Sequence, residues 1–145
     1  MAEKRTVTVR EELDVPANFL WQTISDFEHI DRWTDLKVRA IDDSGIGCQR
    51  TVEMESGLLV TERLLICDPQ KMIFSYAILE PNPYPMQDYV ATASVKKIST
   101  QGSLLEWSGT YFPAVDADPA RTDNLLKKIY GNGIQRLLQH YANRP

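Results

Sequence analysis

Histidine and cysteine are scarce in this sequence, two of each in 145 residues, and the scarcity removes most metal and thiol chemistry at once. His29 and His140 belong to no spaced cluster, and Cys48 and Cys67 stand too far apart for the CxxC hook of a zinc site. No metal is expected, and both histidines read as surface residues. The two cysteines fall in strand-like segments and are expected to stay unpaired core thiols. Basic residues are outnumbered, 16 Lys and Arg against 20 Asp and Glu for a net charge of −4, and they mass on no one stretch. That distribution argues against a nucleic-acid partner. Apolar runs are short: none reaches the roughly 18 residues of a membrane span, and Met1-Ala2-Glu3-Lys4-Arg5 has no apolar segment behind its charges. Neither membrane insertion nor export is expected, so the protein is read as soluble and cytoplasmic.

Two catalytic signatures are also missing. There is no Gly-x-Ser-x-Gly elbow and no serine with a recognisable His and acid partner. Gly45-Ile46-Gly47 opens like a dinucleotide fingerprint, but the third glycine is absent and a strand follows, so no cofactor is expected. What remains is ordinary globular composition, 43% hydrophobic and 25% charged, in a chain of the commonest single-domain size. One domain over residues 1–145 is the expectation.

The order of elements is legible from periodicity. Thr6 to Leu13 begins with the alternation of a strand. Asp14-Val15-Pro16-Ala17 starts a helix, with Asp14 as the capping acceptor, and Phe19, Leu20, Ile24 and Phe27 recur at helical spacing. Ser25-Asp26 breaks that helix, and Glu28 to Trp33 supports a second short one. From Leu36 to Phe112 the period is mostly two. Turn chemistry at Asp42-Asp43-Ser44-Gly45, Ser56-Gly57, Asp68-Pro69, Pro81-Asn82-Pro83 and Gln101-Gly102 cuts this stretch into about six strands. Connections that short join only antiparallel neighbours. Asp118 then suits an N-cap and Pro119 a first helical position, opening a helix to about Ala142, roughly 36 Å long. Its inner stripe is Leu126, Ile129, Tyr130, Gly133 and Leu137. Gly131 and Gly133 each cost about 1 kcal/mol relative to Ala there. Either the helix approaches the sheet closely, or space is kept for a ligand.

A strand, a helix pair, a six-strand meander and a long C-terminal helix is the order of the helix-grip fold, an α+β class. Particular residues go further: Val15-Pro16-Ala17-Asn18-Phe19-Leu20-Trp21, Phe27 with Trp33, Gly47-Cys48-Gln49-Arg50, Ser56-Gly57-Leu58 before Glu62-Arg63-Leu64, Asp68-Pro69 leading into Phe74-Ser75-Tyr76-Ala77-Ile78, Asp88-Tyr89, Trp107 and Tyr111. With these the chain resembles the START/Bet v 1-like (SRPBCC) superfamily over nearly its entire length, its bacterial polyketide cyclase/dehydratase-like members in particular. The resemblance implies a seven-stranded curved antiparallel sheet wrapped around the C-terminal helix, with an elongated apolar ligand cavity between them. Carried over residue by residue, it turns Val52, Met54, Glu62, Leu64, Tyr76, Ile78 and Tyr89 inward. Alternation agrees, since Glu53, Glu55 and Arg63 must then point outward. Ser56-Gly57-Leu58 matches the entrance loop of the plant abscisic-acid receptors, where Pro follows; here Leu59 stands, which argues against a hormone-type gate. Leu58, Trp107, Tyr111, Leu126, Ile129, Tyr130 and Gly133 complete the expected ligand contacts.

Glu62 is the most informative of these residues. On a concave apolar face it is either a functional carboxylate or one neutralised by a neighbouring Arg or bonded to Tyr89. Two functions follow. The first is binding of a small hydrophobic molecule, an aromatic polyketide, a lipid or a sterol-like compound, with Glu62, Tyr76 and Tyr89 orienting it. The second is a polyketide cyclase/aromatase or dehydratase-like enzyme, with Glu62 as acid or base and tyrosine hydroxyls polarising a ketone. Binding is favoured, because no second group completes a proton relay. A protein-binding domain with a vestigial cavity is a third reading. A homodimer is compatible with the sequence, although no heptad or apolar edge places it.

Overall fold

A computed structural model describes residues 3–145. β1 (Arg5–Leu13) leads to α1 (Ala17–Ile24) and a 3₁₀ segment over Phe27–Arg32. There follow β2 (Lys37–Asp42), β3 (Gln49–Glu53), β4 (Leu59–Asp68), β5 (Ile73–Ile78), β6 (Met86–Lys97), β7 (Ser103–Pro113) and α2 (Pro119–Ala142). The strands form one sheet in the order β1-β7-β6-β5-β4-β3-β2. Every pairing is antiparallel. The short turns therefore produce the meander expected of them, and β1 joins its far end beside β7.

Bulges bend the sheet. Register shifts occur between Val38 and Ala40, between Leu64 and Ile66, and between Gln87 and Val90. The curved sheet grips α2, whose start follows its capping chemistry: the Asp118 carboxylate accepts from the Ala120 N–H at 3.1 Å, with Pro119 in the first turn. Leu126, Tyr130, Ile134 and Leu137 bury one stripe of α2, which packs mainly on β1 and β7. Phe19 of α1 meets Tyr141 of α2 edge-on, with ring centroids 4.8 Å apart.

Two local expectations are corrected. Asp14 does not cap α1: Pro16 stays extended (φ −59°, ψ 139°) at the N-cap position with no side-chain cap, so Asp14 lies two residues outside the helix start. The second short helix is a 3₁₀ segment broken at His29 (φ −121°, ψ 38°). There the Asp26 carboxylate is bonded to the His29 ring, Nδ1 to Oδ1 2.8 Å. Both cysteines are free, Cys48 buried and Cys67 half-buried. No helix among the described residues is long and apolar enough to cross a membrane.

Candidate functional site

Between the concave face of β3 to β7 and one flank of α2 lies a cavity of about 270 Å³, just under the ~300–1,000 Å³ usual for ligand pockets. Alternation sets its sheet wall. Val52 on β3, Met54 just beyond it, Glu62 on β4, Tyr76 and Ile78 on β5, Tyr89 on β6 and Trp107 on β7 all line it. From α2 come Leu126, Ile129, Tyr130 and Gly133, whose spacing puts them on one flank. Trp33 and Ile30 close the base.

Three residues expected in this lining lie outside it. Leu58 sits at the tip of the β3–β4 hairpin, beside Gly57 (φ +89°), and is 48% exposed. Leu64 faces inward as its parity requires, but it is packed in the core one inward position beyond Glu62. Tyr111 is buried under the first turns of α2. Its hydroxyl donates to Asp123 Oδ1 at 2.5 Å, with the Pro119 carbonyl at 3.2 Å.

Arg50, Val60, Tyr84, Met86, Asn132 and Arg136 also contribute to the lining and were not anticipated. For two of them a signal existed. Arg50 shares the parity of Val52, and Val60 that of Glu62, so alternation alone turns both inward.

Arg50 decides the reading of Glu62. The two residues face each other across β3 and β4, and Arg50 Nε donates to Glu62 Oε1 at 2.7 Å. Arg50 is 2% exposed and Glu62 7%. Arg50 Nη1 donates to the Phe27 carbonyl at 2.8 Å, and the guanidinium lies 4.0 Å from the Phe27 ring centroid. Each contact offsets part of the cost of desolvating the charges. Of the two partners weighed from sequence, the arginine holds the carboxylate.

Tyr89 is engaged elsewhere, its hydroxyl 2.5 Å from that of Tyr130. Tyr130 in turn stacks on Trp107, centroids 5.6 Å apart at 13°. Gly109 makes room for the pair, because a Cβ there would fall 2.0 Å from Tyr130 Oη and 2.9 Å from Tyr89 Cε1. Burial pushes the Tyr89 phenol well up, the Tyr130 phenol up to about 12, and the Tyr76 phenol up with help from the Glu62 charge. All three are neutral hydrogen-bonding groups at pH 7.

Close packing accounts for neither helix glycine. A Cβ on Gly131 would meet nothing within 4 Å, and one on Gly133 would meet the Trp107 ring at an ordinary 3.6 Å. Gly133 instead widens the cavity. Among the described residues, no group of three or more His, Cys, Asp and Glu side chains is placed to hold a metal ion.

With this geometry in hand, comparison with known proteins is informative. The model of a family described as polyketide cyclase / dehydrase and lipid transport matches residues 4–142. Comparison with curated proteins gives no match. Among solved structures, an uncharacterized protein of Bacillus thuringiensis is 26% identical, with a TM-score of 0.83, covering 96% of this chain and 100% of its own. The protein XoxI of Bacillus cereus is also 26% identical, with a TM-score of 0.82 over 99% of this chain and 97% of that one. A point mutant of norcoclaurine synthase from Thalictrum flavum, solved with a transition state analogue, superposes with a TM-score of 0.71 over 97% of this chain and 98% of that one. Its 14% identity supports a shared fold alone. The matched family model, the seven-stranded sheet and the gripped helix together place the chain in the polyketide cyclase / dehydrase and lipid transport family of the START/Bet v 1-like (SRPBCC) superfamily.

Proposed function

We propose that this protein binds a small hydrophobic molecule, an aromatic polyketide, a lipid or a sterol-like compound, in the cavity between the sheet and α2. It would do so as a single cytoplasmic domain, alone or as a homodimer, without a nucleic-acid partner. The observation carrying this reading is a mostly apolar cavity whose buried ion pair is already matched, Glu62 to Arg50 at 2.7 Å. Apolar burial supplies the affinity and a few polar groups the orientation. The contacts are assigned to the residues that line the cavity, with Leu58, Leu64 and Tyr111 left out. The cyclase or dehydratase reading draws less support. It needs Glu62 to exchange a proton, yet Arg50 holds that carboxylate, and the tyrosine phenols are weakened as acids by burial.

Gly133→Leu tests this reading. The side chain fills the cavity from α2 while improving helix propensity by up to about 1 kcal/mol. A panel of aromatic ketones, fatty acids and sterols is screened by thermal shift. At about 100 Kd a true ligand stabilises the wild type by ~2.7 kcal/mol, and the variant should stay folded but lose that shift. No response from the wild type to any class would sink the proposal.

A further inference from the structure

Exposure sorts the cavity lining into an inner end and a rim. Val52, Val60, Tyr76, Tyr89, Trp107 and Leu126 are buried. Asn132 and Arg136 of α2 are exposed, and Thr34, Leu36 and Met54 are half-buried. The cavity therefore opens between α2 and the segment that leads into β2.

Its polar groups divide in the same way. At the inner end Arg50 and Glu62 are committed to each other and the Tyr89 hydroxyl to Tyr130. At the rim the Thr34 hydroxyl donates to the Ile30 carbonyl at 2.7 Å. Arg136 is the third charged residue of the lining, so the lining carries one net positive charge, and that charge stands at the mouth. Its partner is Asp35, which lies outside the lining: Arg136 Nη2 donates to Asp35 Oδ2. The two side chains are 46% and 53% exposed, and so open a pair contributes little to stability. The bond also uses only part of the guanidinium. Arg39 gives both Nε and Nη2 to Glu53, at 3.1 and 3.2 Å, whereas Nε and Nη1 of Arg136 donate to no described residue. A second carboxylate fits that unused fork in a way that a hydroxyl or a ketone does not. Asn132, one turn before Arg136, brings an amide donor to the same rim.

Building on the reading of this cavity as a ligand site, we propose that Arg136 exchanges Asp35 for a carboxylate of the ligand. The ligand is then an organic acid, with its apolar body in the inner end and its carboxylate at the rim, rather than a neutral ketone, sterol or hydrocarbon.

Equilibrium dialysis at pH 7 with two acid–alcohol pairs, 2-naphthoate with 2-naphthylmethanol and decanoate with decanol, tests this proposal. In the pair whose body fits, the wild type should bind the acid about fivefold more tightly than the alcohol. Which pair binds separates a ring acid from a fatty acid. Salt at about 0.5 M should shrink the preference, because the charges meet in solvent. Arg136→Gln should abolish it while holding the alcohol within about twofold of wild type. Asp35→Asn removes the competing carboxylate and should tighten the acid about twofold to threefold. An alcohol bound as tightly as its acid by the wild type overturns the anchor and leaves the cavity reading standing. The anchor is also overturned by a preference that survives salt or Arg136→Gln, by an Arg136→Gln change that weakens acid and alcohol alike, or by an Asp35→Asn protein that gains no affinity for the acid. If neither pair binds, the anchor falls, and the cavity reading falls with it when the wider panel gives no thermal shift either. The wild-type ratio and its salt dependence need no variant, so the test survives a substitution that fails to fold.

Discussion

The two wings of the sheet are built to different standards. On the β1-β7-β6 wing, α1 and α2 together cover the concave face: Ala91, Ala93, Leu105 and Tyr111 have no measurable exposure, and every second residue of β7 from Ser103 to Tyr111 is buried. On the β2-β3-β4 wing the inner face looks onto the cavity. β2 is exposed at all positions but Val38, which is half-buried, and Ile41, Leu59, Leu65 and Ile66 are exposed. One wing is stabilised by packing against two helices. The other packs on the short 3₁₀ segment instead, and its inward Val52, Val60 and Leu64 share their face with a buried ion pair. The candidate site lies where the two meet, lined by β6, β7 and α2 as well as by β3 and β4.

Breaking the ion pair should have the largest effect. Arg50→Met leaves the Glu62 carboxylate buried without its partner, and urea unfolding should show a loss of about 3–5 kcal/mol. Adding Glu62→Leu removes the orphaned charge and should recover most of that loss, because the penalty is the unpaired charge rather than the missing bridge. A single variant as mild as a surface change would mean the open wing does not bury the pair, and the contrast between wings would fail. The packed wing should respond to volume instead. Gly109→Ala drives a methyl into the Tyr89–Tyr130 pair and should cost about 1–3 kcal/mol. In a Tyr130→Phe background, which removes the hydroxyl standing 2.0 Å from that methyl, the cost should fall. An unchanged cost would locate the strain at the Tyr89 ring, whose Cε1 stands 2.9 Å from that methyl, rather than at the Tyr130 hydroxyl.

This contrast also explains how much could be read from sequence. The start of α2 was legible because Asp118 and Pro119 act locally, and the strands were legible because turn residues delimit them. Parity turned Val52, Glu62, Tyr76 and Tyr89 inward, and all four face the cavity. Parity gives a face but not a position along the strand. Leu64 and Tyr111 point inward and still miss the cavity, because where it ends depends on how α2 and the core fill the space. Arg50 was obscured by its own charge: its parity says inward, its chemistry says solvent, and only the Glu62 opposite resolves the conflict. Trp33 joins the site through tertiary packing that no local pattern records.

The smallest expected effect lies on the packed wing and tests whether the wings are independent. Asp123 on α2 accepts from Arg5 of β1 and from the Tyr111 hydroxyl of β7, each with a shortest contact of 2.5 Å. The hydrogen bonds from Arg5, aided by Tyr111, hold its carboxyl below the usual range against an opposing effect of burial. A folded pKa below the unfolded value of about 3.9 means that the stabilisation is complete above pH ~4 and is lost as pH falls through the folded value. The groups are partly solvent-screened, so Asp123→Asn should cost only about 1 kcal/mol at pH 7. Urea midpoints of wild type and variant should converge below pH ~4, where the wild-type carboxylate also takes up its proton. A gap that persists at low pH would mean that shape rather than charge makes the clasp. Because Asp123 lies outside the cavity lining, affinity at pH 7 for any compound of the thermal-shift panel that binds the wild type should not change in the variant. If it does, the anchoring of α2 on one wing sets the cavity where the two meet, and the two wings act as one device.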